Sequence, residues 1–418
     1  MGAVRRPLIV LLAANAFSIT GNVFTMLAVP WFVLQTTGSP ALTGAASAAS
    51  ALPLVISATF AGPLVDRVGP RRASVLSDLA SGLIVVTIPA LFLTAGLGYG
   101  VLLLLLFVRW LLATPGDTAR RAMIPDLAAR GGVAIERAAA ACDGVFRGAT
   151  LTGASLAGVM IAWLGPAPLL FIDGATFLVS AILISSGVPH VAHDDGEGAL
   201  TGYLHRLGEG LAFLWRERLL RSVVAIILIT NMLDIGLDQV LLPSYARQVE
   251  HDPRAFGLLV AAIFAGALAG TAAYGWVGAR LPRRPTFALS LLIGGAVRPL
   301  VLAAGVPFGA AIAVIAISGV ACGSINPLLN VVQFERIPIR LRARVLGAIT
   351  AGQFAGMPLG GLVAGFLTES AGLTASLLTF AIIYVLASSP PFLSRSWKQI
   401  GAATPQPGTA VDAASAVT

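Results

Sequence analysis

Twelve apolar stretches run the length of this chain, each long enough to cross about 30 Å of hydrocarbon as a helix. They fall at 8–34, 40–65, 73–95, 99–117, 134–163, 166–188, 220–246, 254–279, 286–304, 307–333, 345–368 and 372–393. Lipid offers no partners for backbone polar groups, so a spanning segment must satisfy them internally, as a helix does. Period-two alternation is absent, which argues against a membrane β-barrel. The expected fold is an all-α membrane protein of twelve transmembrane helices. Of the 418 residues, 57% are apolar and only 11% charged, whereas an ordinary soluble domain is about 25% charged. Soluble enzymes, disordered chains and secreted disulfide scaffolds do not fit these values.

The net charge of +8 does not point to nucleic acid, because the basic residues form small clusters between the apolar runs. With the N-terminus inside, the inner segments hold 22 of the 27 Lys and Arg residues and the outer loops only Arg247 and Arg254. Arg109, Arg147 and Arg298 fall within spans. This bias places both termini in the cytoplasm and the protein in the plasma membrane, with lipid around it and no nucleic-acid partner. Arg5 and Arg6 open the chain in the manner of a signal peptide, but the following apolar run is too long for one and reads as the first span. Cys142 and Cys322 stand alone, so neither a disulfide framework nor a zinc site is expected.

The longest inter-span segment, 189–219, divides the chain into a six-helix half at 1–188 and another at 220–395. It begins as a polar linker. His190, His193, Asp194, Asp195 and Glu197 lie there without the spacing of a metal site, and neither metal nor cofactor is expected. It continues as an amphipathic helix, with Leu204, Leu207, Leu211, Leu214 and Trp215 opposed to Arg206, Glu209, Arg216 and Arg218. Residues 396–418 read as a disordered cytoplasmic tail.

The halves repeat. Val65–Asp66–Arg67–Val68–Gly69–Pro70–Arg71–Arg72 joins spans two and three, and Val277–Gly278–Ala279–Arg280–Leu281–Pro282–Arg283–Arg284 joins spans eight and nine. Ile124–Pro125 corresponds to Ile337–Pro338. Gly153, Leu156 and Gly158 in span five correspond to Gly356, Leu359 and Gly361 in span eleven. Two pseudo-symmetric halves of this kind are a transporter architecture.

Gly62, Asp66, Arg67, Gly69, Arg71 and Arg72 resemble the loop motif of the major facilitator superfamily, with Pro70 displacing the two arginines by one place. Ser77–Asp78, Ile124–Pro125–Asp126 and Leu341–Arg342–Ala343–Arg344–Val345 resemble its drug-exporter branch, and within it the actinobacterial multidrug efflux pumps of the Tap type. The resemblance covers about 1–395. It implies an alternating-access carrier of small molecules, with spans one, four, seven and ten around a central cavity. It also implies proton-coupled efflux of hydrophobic or cationic drugs by a monomer. A siderophore or metabolite exporter of the same fold is the alternative. Two departures from the family pattern stand out: Ala113 replaces the glycine expected four residues after Arg109, and Ala154 replaces a proline of the antiporter motif in span five.

Charged groups inside a bilayer are expensive and are functional candidates by default. Asp234 and Asp238 in span seven lie about 19 Å and 25 Å from its inner end at 1.5 Å per residue. They are the candidates for proton coupling, Asp234 first. Asn231 shares their helix face. Asn326, Asn330 and Gln333 form a stripe in span ten, and Asn15 and Asn22 one in span one. These residues and Arg109 are expected to line the cavity. Asp66, with Arg67 or Arg71 paired to Asp117 on span four, is expected to form an inner latch between the halves. Asp143 and Arg147 are expected to neutralise each other, and Arg298 to be structural or to reach outward. No phosphate-binding loop, no His-Glu-x-x-His and no histidine within a span is present, which leaves an ATP-driven pump, a membrane-embedded enzyme or a channel as poor alternatives.

Overall fold

The computed structural model describes residues 2–189, 208, 211–338, 341–394 and 397. The first half consists of α1 (Gly2–Thr37), α2 (Pro40–Val68), α3 (Pro70–Thr94), α4 (Tyr99–Arg130), α5 (Ile135–Leu164) and α6 (Pro166–Gly187). The second consists of α7 (Arg218–Glu250), α8 (Pro253–Val277), α9 (Arg283–Ala303), α10 (Phe308–Gln333), α11 (Arg344–Ala371) and α12 (Leu373–Leu393). Eleven of these are long and apolar enough to cross a membrane. The remaining one, α2, is a continuous helix of 29 residues. The spans read from the sequence match these helices within a few residues, except that α4 runs on to Arg130, well past 117. Asp117, Arg120 and Arg121 are therefore on the helix and not in a loop. The stop signal is the Gly131–Gly132 pair, since Gly132 takes a positive φ of 60°.

Proline decides where the second half bends. A proline lacks the N–H that would bond to the residue four back, and its ring crowds that carbonyl. In α10 the helix is interrupted at Ser324, ahead of Pro327. In α11 it is interrupted at Ala355–Gly356, ahead of Pro358. In α7, π-helical turns at Leu237–Leu241 and Ala246–Glu250 flank Pro243. In α9, a π-helical turn at Leu292–Ala296 precedes Pro299. With Ala154 in place of a proline, α5 is unbroken.

The sequence repeat is a repeat of packing. Gly153 of α5 lies against Thr20 and Val23 of α1, and its counterpart Gly356 of α11 against Leu228 of α7. Gly158 meets Gly257 of α8, and Gly361 meets Gly44 and Ser47 of α2. Each half thus places its fifth helix against its own first helix and against the second helix of the other half. Small residues permit that close backbone approach. These contacts between the halves lie toward the end remote from the termini.

Of the expected linker helix, 211–216 is helical. Leu214 is buried with Ile337 and Val345, while Trp215 is exposed and stacks with Arg221, whose guanidinium lies 5.9 Å from the ring centroid. Leu204, Arg206, Leu207, Glu209 and the polar stretch from His190 to Glu197 lie outside the described residues. Trp397, in the stretch read as a tail, is fully buried. It stacks on Phe287 at 5.2 Å and donates its indole N–H to the Ser222 hydroxyl at 3.0 Å. Trp397→Ala is expected to cost about 3–5 kcal/mol and to lower the thermal midpoint of the purified protein in detergent. An unchanged midpoint would show that the docking contributes nothing.

Candidate functional site

A cavity of about 670 Å³ lies between the halves. Its wall on α1 is Asn15, Ile19, Asn22, Val23 and Met26. The wall on α4 and α5 is Trp110, Asp117, Arg121, Ile124, Ala139, Cys142, Asp143, Phe146, Arg147 and Thr150. The second half contributes Phe264 from α8 and Asn326 from α10. The charged lining sits on the end of α4 and the beginning of α5, so the cavity opens toward the side that carries the termini. A smaller pocket of about 90 Å³ shares Met26 and Trp110 with it and adds Thr25, Ala46, Ser50, Leu54, Ile235 and Gln239. The site grades from charged at its mouth to aromatic and thioether surface at its depth.

Asn15 and Asn22 line this cavity as their seven-residue spacing requires. Arg109 is fully buried behind them. It donates to the Asn22 carbonyl oxygen at 2.6 Å and lies 4.0 Å over the Trp110 ring and 5.3 Å from that of Phe177. A buried guanidinium stays charged, so the rings and the amide replace part of its lost hydration. Asp173 on α6 is also fully buried, accepts hydrogen bonds from Thr25 and Thr176, and offers Arg109 an opposite charge. Asp143 and Arg147 both face the cavity, and no ion pair joins them among the described residues. Their i, i+4 spacing makes a pair sterically available, but both side chains line the cavity instead.

Two networks, each of one buried arginine shared by two carboxylates, flank the cavity. In the first half, Arg120 binds Asp78 of α3 at 2.8 Å and also Asp117, three residues back. Asp78 is buried and further accepts from Ser180 at 2.6 Å and Ser18 at 3.5 Å, so α1, α3, α4 and α6 are tied together. Asp117 is half-exposed to the cavity. The expected pairing of Asp117 with Arg67 or Arg71 is replaced by this network. Arg71 donates to the Ser185 carbonyl of α6, and Arg67 and Asp66 are exposed in the last turn of α2. The geometric reason is that Arg120 rides on the same helix as Asp117. Hydropathy alone ends α4 too early to bring Asp78 and Arg120 together. An acid within span three is the one signal that points to this network; Pro115 and Gly116 argue locally for a break, yet α4 runs through them to Arg130.

In the second half, Arg298 of α9 is buried and binds both Asp234 and Asp238 of α7, the latter at 3.3 Å. Tyr384 of α12 donates to Asp234 at 2.6 Å. Arg298 is thus neither peripheral nor turned outward. The π-helical turn just before it carries an extra residue, which rotates the remainder of α9 about its axis and turns the guanidinium inward. The polar stripe of α7 divides accordingly. Asn231 donates to the Gln353 carbonyl of α11 at 3.0 Å, and Asp234 and Asp238 face α9 and α12. None of the three lines the central cavity. Spacing places residues on one face, but the neighbouring helices decide which way that face points. The α10 stripe divides too. Asn326 lines the cavity, Asn330 is exposed outside that lining, and Gln333 is buried.

The chain matches the Major Facilitator Superfamily over residues 11–235 and again over 224–408. It belongs to that superfamily. The two overlapping matches cover both six-helix halves. The Multidrug efflux pump Tap of Mycobacterium tuberculosis is 33% identical over 388 residues, covering 90% of this chain and 91% of that protein. The Tap pump of Mycolicibacterium fortuitum is 32% identical over 391 residues, covering 91% and 94%. In fold, the chain is similar to the crystal structure of a mutant of the nucleoside transporter NupG. The TM-score is 0.78 at 12% identity, covering 92% of this chain and 98% of that one. A superfamily member of this kind is a multi-pass plasma-membrane transporter of small molecules and not an enzyme.

Proposed function

We propose that this protein is a proton-coupled exporter of hydrophobic or cationic drugs that works by alternating access. The observation that carries this reading is the cavity. It combines the carboxylates of Asp117 and Asp143, with Arg121 and Arg147 beside them at the mouth, with the Trp110, Phe146, Phe264 and Met26 surface. Carboxylates attract a cationic head, and aromatic faces bind both cations and flat apolar bodies. Relatives named as multidrug efflux pumps support the same substrate class. The positive-inside bias supports cytoplasmic termini, so the open cavity faces the cytoplasm, where an exporter collects its cargo. Asn15, Asn22 and Asn326 present hydrogen-bonding groups to it, and Arg109 orients Asn22.

Proton coupling is assigned to Asp234 and Asp238. With both ionised, the pair and Arg298 carry one net negative charge, and a single proton cancels it. A neutral and a charged cluster differ sharply in the cost of being buried, so protonation can bias which state of the second half is preferred. Asp66, Arg67, Arg71 and Asp117 are assigned to gating at the cytoplasmic ends, where the halves must close when the cavity turns outward. The transport unit is a monomer, since one chain holds both halves.

The test is transport of a lipophilic cationic dye into proteoliposomes carrying an imposed pH gradient. Accumulation should follow the gradient and collapse with a protonophore. Accumulation at the same rate without a gradient would sink proton coupling, and no saturable dye movement in either direction would sink the substrate class.

A further inference from the structure

We propose that two symmetry-related rim contacts, Glu369 on the start of α2 and Arg254 on Trp163, latch the halves together at the outer end and set how often it opens. The proposal concerns the conformational equilibrium and holds whatever the cargo or coupling ion.

Helix α2 begins at Pro40 with Ser39 as its cap, whose hydroxyl accepts from the Leu42 N–H at 3.1 Å. The same hydroxyl donates to the Glu369 carboxylate of α11, which also accepts the Ala41 N–H at 3.0 Å. A carboxylate of one half therefore satisfies the free donors at a helix N-terminus of the other, where the dipole is positive. In the second half, α8 likewise begins at a proline, Pro253, with Asp252 as its cap. Beside it Arg254 lies 6.0 Å from the Trp163 ring centroid of α5. Both contacts join the start of a second helix to the end of the opposite half's fifth helix. Directly beneath each, glycine backbones touch, Gly44 with Gly361 and Gly257 with Gly158.

The position of these contacts separates a latch from ordinary packing. Glu369, Arg254 and Trp163 are exposed, so water competes for each group and every contact is weak on its own. A bond that must break in each cycle has to be weak. The glycine contacts supply close fit and dispersion attraction, and the rim contacts add a polar attraction that also ends once the halves part. The two latches use different chemistry, an anion on backbone donors and a cation on a ring, so each can be removed separately.

The experiment uses the full chain in nanodiscs, with Cys142 and Cys322 replaced and spin labels at Gly100→Cys and Gly309→Cys. Both positions are exposed near the outer starts of α4 and α10, with open space for a side chain. Electron–electron dipolar spectroscopy then reports the separation of the halves. Glu369→Ala and Trp163→Leu should each raise the long-distance, outer-open fraction about threefold. The double variant should raise it about tenfold, since the sites are independent. Glu369→Gln, which keeps one acceptor oxygen without the charge, should fall between the wild type and Glu369→Ala. Unchanged distance distributions in both single variants and the double overturn the proposal, as does a double variant no more open than the wild type.

Discussion

Asp234→Asn in reconstituted protein is expected to abolish proton-driven accumulation of substrate while downhill movement persists. In the folded chain Asp234, Asp238 and Arg298 form one electrostatic unit. Replacing one carboxylate by an amide leaves a guanidinium and a single carboxylate, which is already neutral, so a proton no longer removes a net charge. Asp238→Asn should uncouple for the same reason. This departs from what linear position suggests, namely that Asp238, nearer the outer water, should matter less. Arg298 binds both acids, and that shared partner makes them equivalent in charge. Arg298→Met is expected to be worse than either. It leaves two partly buried carboxylates side by side without their shared counter-ion. The measurement is dye accumulation at a fixed pH gradient compared with exchange at none, at matched protein density. Normal uphill rates in both Asn variants would move the proton site elsewhere, with Asp143 of the cavity the next to test.

The second large effect is expected at the crossing of α5 and α8. A side chain on Gly158 would stand 2.5 Å from the Gly257 Cα, which is backbone and cannot swing aside. Gly158→Val should force the outer ends apart. Overpacking of this kind costs about 1–3 kcal/mol, which shifts the equilibrium constant between outer-closed and outer-open by about 5-fold to 160-fold. Ser50 lines the deep pocket, so Ser50→Cys in the variant should react faster with a membrane-impermeant maleimide added from outside. Transport should fall as well, because the cavity visits the cytoplasmic side less often. Gly144→Ala on the same helix is the control, since nothing lies within 4 Å of the added methyl, and it should leave labelling unchanged. Equal labelling in Gly158→Val and the wild type would mean that this crossing does not limit opening.

Most of the helices could be drawn from the sequence because the bilayer imposes one length and one polarity on every span. The miss at α4 has the same origin. Past 117 the chain becomes polar on leaving the hydrocarbon, and hydropathy cannot distinguish a helix that continues into water from a loop. The repeat was legible because equivalent glycines must stay small wherever backbones touch. In the candidate site, Asn15 and Asn22 both reach the cavity wall because α1 is one continuous helix whose period of about 3.6 residues puts them on one face. The α7 and α10 stripes divide, because neighbouring helices draw their members to different partners, Asn231 to Gln353 and both Asp234 and Asp238 to Arg298.

What the sequence by itself determined was the class, the number and order of the spans, the two related halves and the side on which the basic residues gather. All of these stem from composition and from local periodicity. Which charge meets which was decided only by the tertiary structure. Arg120 of α4 reaches Asp78 of α3, and Arg298 of α9 takes both Asp234 and Asp238 of α7. A buried ion pair is set by a few ångströms between helices that are 42 to 64 residues apart in the chain. Such distances depend on how the helices rotate and cross, and no local pattern encodes them.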